Sequence, residues 1–516
     1  MAKLSLKSLI IAALSFLMLS CAHDGKRLHF AGARLPFHMP DISLPAIPAH
    51  EVSLDDFGAV GDGVTLCTDA FQQAFDRLEQ LGGGRLLVPD GIWLTGPIGL
   101  RSHTELHLSD NAVIVFSADQ DLYPIIATNF EGLDMQRCIA PIHALDATDI
   151  AITGKGIIDG NGAPWRELKK RKVGDDIWKP VVKSGGVLSD DGKTWFPDEG
   201  YKKARLTAGS LNKQADSLDL QEIKTFLRPV LVSLRSCENV LLEGVTFQNS
   251  PAWNIHPLWC RNLVVRDIVV RNPHYSTNGD GIDIEACENV YLTGSSFDVG
   301  DDAICIKSGK DADGRRYGKA CRNLLIEHCT VYHGHGGFVI GSEMSGGANN
   351  ILVRDCRFLG TDVGLRFKST RGRGGVVKDI WCQNIYMKDI VAEAVTFNLY
   401  YAGVAATERS SASGGKGASS GANKMADAPA NATLSPAEAS ADLPPVDETT
   451  PEFRDIHFEG IVCAGAKQAV YINGLPELPL KDVDFANCTF TATKGVEMHN
   501  TDHVTFVNVT VNGEEL

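Results

Sequence analysis

Four short strings carry groups able to move protons and hold anions: Asn278-Gly279-Asp280, Gly300-Asp301-Asp302, Gly334-His335-Gly336 and Arg366-Phe367-Lys368. Together they supply three carboxylates, an imidazole and two cations. Crowded carboxylates cannot all ionise, so one is pushed up and can donate a proton while another stays ionised and can activate water. Glycoside hydrolysis with inversion needs such a pairing, with about 6.5–9.5 Å between the carboxyls to admit water. Asp280, Asp301, Asp302 and His335 are therefore the catalytic candidates. Arg366 and Lys368 share one strand face by their period-two spacing, and an Arg fork suits a carboxylate. With Lys307 and Asn278 they are the substrate-binding candidates, and Arg371 and Arg373 add charge nearby. An anionic sugar such as a uronic acid is implied more than a neutral one.

Taken singly, these strings mean little. Gly-Asp-Asp is often a solvated turn or part of a calcium loop. An Arg-x-Lys pair is usually a wet strand face. Asp283 and Glu285 read as capping or surface groups. Trp253 and His256 read equally well as subsite or core. What raises the set above chance is its phase within a repeat.

That repeat is visible as Cys237-Glu238-Asn239, Cys260-Arg261-Asn262, Cys287-Glu288-Asn289 and Cys321-Arg322-Asn323, each followed by an apolar run. It continues through Asn350 and Asp379. The intervals are about 23, 27, 34, 27 and 29 residues, the mark of a solenoid. Apolar residues alternate and turn residues recur every few positions, so each unit is a few short strands. The fold class is all-β, a parallel β-helix with coils about 4.8 Å apart. Asp301 and His335 each lie 12 residues after their repeat Asn, so they should be axial neighbours. Asp301 and Asp302 can both reach one cleft only if the chain bends at Gly300. The spacing of Ala70, Phe71, Ala74, Phe75, Leu78 and Leu81 predicts an amphipathic helix over 69–81, stopped by Gly82-Gly83-Gly84, that caps an open end. Residues 163–225 break the pattern and predict a rim insertion with helix at 165–172. Residues 404–450 are Ala-, Ser-, Gly- and Pro-rich and predict a disordered excursion. The remainder, 51–516, reads as one catalytic domain.

The chain has 516 residues, 44% of them hydrophobic, with net charge −15, so nucleic acid is an unsuitable partner. Lys3 and Lys7 precede an apolar run at 9–19 too short to span a bilayer, as in a signal peptide. Leu17-Met18-Leu19-Ser20-Cys21 resembles a bacterial lipobox. It predicts cleavage before Cys21, lipidation of that thiol and a protein exported and anchored in the bacterial envelope, otherwise secreted. Residues 22–50 read as a tether, and the only membrane contact expected is the lipid. The other cysteines recur in phase and read as buried stacking positions rather than disulfides or zinc ligands.

The four strings resemble those of glycoside hydrolase family 28, the polygalacturonase family. The likeness runs from about residue 53 to the C-terminus outside the two insertions. The family more often has Thr where Gly279 stands, often Gln at Gly300 and often Ile at Phe367, but no titratable group is lost. The resemblance implies a right-handed β-helix that hydrolyses α-1,4-galacturonosidic bonds in pectin. It makes Asp301 the general acid, Asp280 and Asp302 the bases that activate water, and His335 the support for the acid's proton. Arg366 and Lys368 would hold the substrate carboxylate. It implies no metal, no cofactor and a monomer. His335 and the Arg-x-Lys pair favour cleavage beside galacturonate over rhamnogalacturonan, with a xylogalacturonan hydrolase of the same fold as an alternative. The insertion would wall off one end of the cleft and make the enzyme exo-acting. Two other readings share the solenoid: a calcium-dependent pectate-lyase-like enzyme, and a glycan-binding β-helix without turnover.

Overall fold

The computed structural model describes residues 27–32, 34–208, 218–400 and 443–516. Cys21, the segment before it and most of 404–450 lie outside the described residues. The chain winds as a right-handed parallel β-helix whose strands form a 23-stranded and a 14-stranded sheet. The larger sheet contains two series. One runs through Ile255–Leu258, Ile282–Glu285, Ile304–Lys307, Gly336–Ile340, Val363–Lys368 and Glu393–Asn398, each paired in parallel with the next. The other runs through Val269–Arg271, Ser296–Asp298, Thr330–His333 and Arg357–Leu359.

Register stacks like on like. Ile284, Ile306, Ile340, Phe367 and Phe397 form one inward column, and the last two rings stack at 4.4 Å. All five side chains are fully buried. The repeat Asn residues turn each corner with positive φ, from 55° at Asn239 to 59° at Asn323. Asn accepts that left-handed conformation more readily than most residues. From Asn262 to Asn350 each amide also donates to the Asn one coil below, as from Asn323 to Asn289 at 3.0 Å and from Asn350 to Asn323 at 3.1 Å. The twelve cysteines among the described residues are buried and unpaired.

The capping helix spans Thr68–Gln80 and buries Ala70, Phe71, Ala74, Phe75 and Leu78. Two expectations need correction. Described residues of the 22–50 segment are not a free tether. Arg27–Leu28 pairs with Ile42–Ser43, and Leu28, Phe30, Met39 and Ile42 are buried against Val264, Tyr291, Leu325 and Leu352. Those four belong to an outward apolar column on the smaller sheet that water would otherwise meet. Helix in the insertion lies at Asp175–Lys183 and Glu199–Ala208, not at 165–172. In that stretch Trp165, Arg166, Glu167 and Leu168 are all buried, which leaves no solvent face for an amphipathic helix. It forms two single 3-10 turns and the short strand Leu168–Lys169.

Candidate active site

The strands Ile282–Glu285, Ile304–Lys307, Gly336–Ile340 and Val363–Lys368 bring the four strings side by side. Asp280 sits just before the first. Asp301 and Asp302 sit in a bend between Ser296–Asp298 and Ile304–Lys307, so neither follows strand alternation. Gly300 permits that bend: a Cβ there would lie 2.5 Å from the Pro273 carbonyl. Gly279 is cramped in the same corner, where a Cβ would meet Ser276 Oγ at 1.8 Å, and Ser276 is pinned by its bond to Pro273 O.

Oxygens of Asp280, Asp301 and Asp302 converge within 4.8 Å of one another. His335 Nδ1 lies 3.0 Å from Asp301 Oδ1, so the two groups at equal repeat phase are axial neighbours. Its Nε2 lies 3.8 Å from Asp362. Asp302 accepts from Lys368 Nζ at 2.6 Å and from an Arg366 nitrogen at 3.2 Å. Geometrically the three carboxylates could bracket a cation, although two of Asp302's acceptor sites are already taken by Lys368 and Arg366. Asn278 sits at the rim, its side-chain oxygen accepting from Arg228 at 2.8 Å.

Lys307 departs from expectation. It is buried, bonded to Glu343 at 2.8 Å and 3.8 Å from Asp283, with its ammonium 4.9 Å from the Trp253 ring. A sugar has no access to it, so it is a strut behind the cleft rather than a substrate ligand. The Glu343 loop covers a strand face that period-two reasoning leaves open. Arg371 is bound by Glu477 at 2.5 and 2.6 Å, and Arg373 pairs with Asp311. Asp283 is no surface group but fully buried. Trp253 and His256 are core, with Trp253 against Phe130 at 4.4 Å and His256 bonded to Glu285 at 2.7 Å. Sequence reasoning passed over Glu343, Asp362, Arg228 and Lys172. Asp283 and Glu285 carried a signal, the same period-two spacing as Arg366 and Lys368.

The electrostatics divide the protons unevenly. Burial, then the charges of Asp283, Asp301 and Asp302, push Asp280 well above the usual carboxylate range. Burial would also raise Asp301, but His335, Lys368 and Lys172 outweigh it and hold that carboxyl low. Asp302 follows the same pattern: burial raises it, and Lys368 and Arg366 bring it below the ordinary value. His335 is raised chiefly by the Asp301 charge, against burial. Asp280 and His335 are thus the raised groups and Asp301 the depressed one, whereas the resemblance makes Asp301 the acid.

Residues 173–414 match the family described as Glycosyl hydrolases family 28. A probable polygalacturonase of Vitis vinifera is 33% identical over 350 residues, 66% of this chain and 61% of that protein. An exo-poly-alpha-D-galacturonosidase of Dickeya chrysanthemi is 30% identical over 359 residues, 68% of this chain and 57% of that one. Among solved structures, an exopolygalacturonase from Thermotoga maritima superposes with TM-score 0.72 at 32% identity, covering 92% of this chain and 94% of that one. The chain belongs to glycosyl hydrolase family 28. It spans about three-fifths of the two curated relatives' lengths. As a family 28 chain it carries all four charged strings in one cleft, and the segment 163–225 packs beside them. The insertion's Leu168, Trp178 and Trp195 pack against Tyr275, which lies three residues before Asn278 in the loop leading to Asp280.

Proposed function

We propose that this protein hydrolyses α-1,4-galacturonosidic bonds in pectin, from a chain end and with inversion. The observation that carries the reading is Asp302 under Arg366 and Lys368, beside the hydrogen-bonded Asp301–His335 pair. Cations and ionised carboxylates share one wall, as an anionic sugar and a water nucleophile both require. An incoming uronate carboxylate competes with Asp302 for Arg366 and Lys368, and each contact it takes makes Asp302 more basic. The same anion offsets Lys368, one of the charges that hold Asp301 low. The His335 proton then crosses to Asp301. Asp301 gives it to the glycosidic oxygen as the bond to C1 breaks. A water adds its hydroxyl to C1 from the opposite face and its proton to Asp302. Asp280, whose carboxyl is pushed up by burial and by Asp283, Asp301 and Asp302, supplies the second contact to that water. Exo action is supported by the docked insertion and by the exo-acting relatives from Dickeya and Thermotoga.

Digestion of polygalacturonic acid with and without chelator tests this. Saturated galacturonate monomer should appear first, in the inverted anomeric form by NMR, whether or not chelator is present. Asp301→Asn should cut the rate by about 10²–10⁴-fold, the usual share of a general acid. A mixture of long oligomers would sink the exo assignment. Unsaturated uronides lost on chelation would favour a lyase, using the converging carboxylates as a cation site.

Export with lipidation at Cys21 belongs to the same reading, because pectin lies outside the cell. Labelling by a palmitate analogue should disappear in Cys21→Ser, and an unlabelled wild-type protein would defeat the anchor.

A further inference from the structure

The two nitrogens of the His335 ring face two different carboxylates. Nδ1 lies 3.0 Å from Asp301 Oδ1, and Nε2 lies 3.8 Å from Asp362 Oδ2. All three residues share one phase of the repeat. Asp301, His335 and Asp362 each stand 12 residues after a corner Asn, at Asn289, Asn323 and Asn350. Backbone bonds lock this stack. His335 donates its N–H to the Asp301 carbonyl at 2.8 Å, Asp362 to the Gly334 carbonyl at 2.9 Å, and Val363 to the His335 carbonyl at 3.2 Å. The next coil closes it with the uncharged Ala392, whose N–H donates to the Asp362 carbonyl at 2.7 Å.

Among the described residues Asp362 has no ion-pair partner besides His335. At 3.8 Å the contact is too long for a direct hydrogen bond. It acts through charge, and an opposite charge at that range favours the imidazolium. Other charged groups face the ring from three directions. Asp301 and Asp302 lie on the coil below, Arg366 passes Gly336 on the coil above, and the charge of Lys172 reaches the ring from the insertion. His333, on the strand before it, is turned to Asp298 at 2.8 Å. Asp301 steadies the imidazolium only while it is itself ionised, and Asp302 is bound by Arg366 and Lys368. Once Asp301 carries a proton, Asp362 is the anion left to hold the ring.

We infer that Asp362 is a positioning residue that holds His335 from its Nε2 side, so that Nδ1 stays aimed at Asp301 with a proton to give. The inference rests on the hydrolase reading above. In each turnover Asp301 passes its proton to the glycosidic oxygen, and His335 refills it from Nδ1. The imidazole recovers a proton from solvent at Nε2, on the side where Asp362 is half exposed. Asp302 releases to solvent the proton it took from water, so the count balances.

The test follows kcat and KM on oligogalacturonates from about pH 4 to 9 for wild type, Asp362→Asn and Asp362→Glu. Asparagine keeps the shape and the backbone bonds but removes the charge. Without that charge the imidazolium loses its proton more readily, so the alkaline limb of kcat/KM should move to lower pH. The expected shift is about half a unit, the scale of one charge near 4 Å in a water-like medium, or about a threefold loss of rate on that limb. The loss should fall on kcat more than on KM, and Asp362→Glu should restore most of it. The position of the limb does not depend on the fraction of protein that is folded. An unmoved limb, or an equal loss at every pH, overturns the inference. Should wild type cleave nothing, the hydrolase reading falls, and an NMR titration of histidine-labelled protein decides Asp362 by itself, with the His335 signal assigned by its loss in His335→Asn. A lower His335 midpoint in Asp362→Asn supports the inference, and an equal midpoint overturns it.

Discussion

At the scale of the residue, the Asp301–His335 pair is where geometry and proton affinity meet. His335 is held above its ordinary value of about 6.5, and Asp301 below about 3.9. A raised imidazole stabilises the fold fully below its unfolded value, and that contribution is lost as pH rises through the folded value. A depressed carboxylate stabilises above its unfolded value and loses this as pH falls through the folded one. Both contributions overlap between about pH 4 and 6.5. His335→Asn should therefore lower Tm most in that window and progressively less above it. The pair is partly open to solvent, so the effect is about 1 kcal/mol, or roughly 2 °C in a chain of this size. Melting curves of both proteins from pH 4 to 9 check it, and a gap independent of pH would mean lost packing alone. This pair was legible because both members stand at one phase of the repeat. Lys307 was misread because its partner Glu343 sits in a loop outside the repeat, and Lys172 was invisible because its position depends on a docked insertion.

Elements show the same division between what a local pattern states and what only packing decides. The capping helix follows from the spacing of Phe71, Phe75 and Leu78, all of which it buries. Corner Asn residues were legible because few other side chains accept positive φ while also bonding the coil below. Within the insertion, Trp165 and Leu168 mimic helical spacing. The intervening Arg166 and Glu167 are buried as well, and Glu167 is paired with Arg205 at 3.0 Å. A buried ion pair across two segments leaves no periodic trace in either. The cleft wall behind the carboxylates has the same character. Lys307 joins Asp283 and Glu343, three charged residues from three successive coils. Burial works against the Lys307 charge, but the acids around it keep the ammonium protonated. Breaking one partner of such a group costs more than the group contributes when intact, so its role is to hold the cleft rather than to stabilise the solenoid.

For the whole molecule the governing problem is surface that a solenoid cannot bury by winding. Each end exposes unpaired strand edges. The capping helix covers one end, and the antiparallel turn-back of Glu514–Glu515 on Thr510–Val511 finishes the other. The flank is the subtler case. Leu241, Val264, Tyr291, Leu325, Leu352 and Trp381 stack in register on the outward side of the smaller sheet. A contiguous apolar column of that length invites association. The N-terminal strap lays Leu28, Phe30, Phe37, Met39 and Ile42 over it, and Phe30 meets Tyr291 edge-on at 5.5 Å. Its Pro and His residues hide this role from any periodicity argument, since the strap borrows its order from the sheet beneath. The strap lies on a different sheet from the catalytic strings. Deleting residues 27–46 while keeping 1–26 should therefore leave kcat near the wild-type value. It should also convert a chain expected to sediment as a monomer into one that associates as concentration rises. Sedimentation velocity across a hundredfold concentration range reads this directly. A truncated protein that stays monomeric throughout would mean the apolar column tolerates water and the strap serves another end. Association accompanied by loss of kcat would mean that the strap supports the coils under the cleft as well as covering their flank.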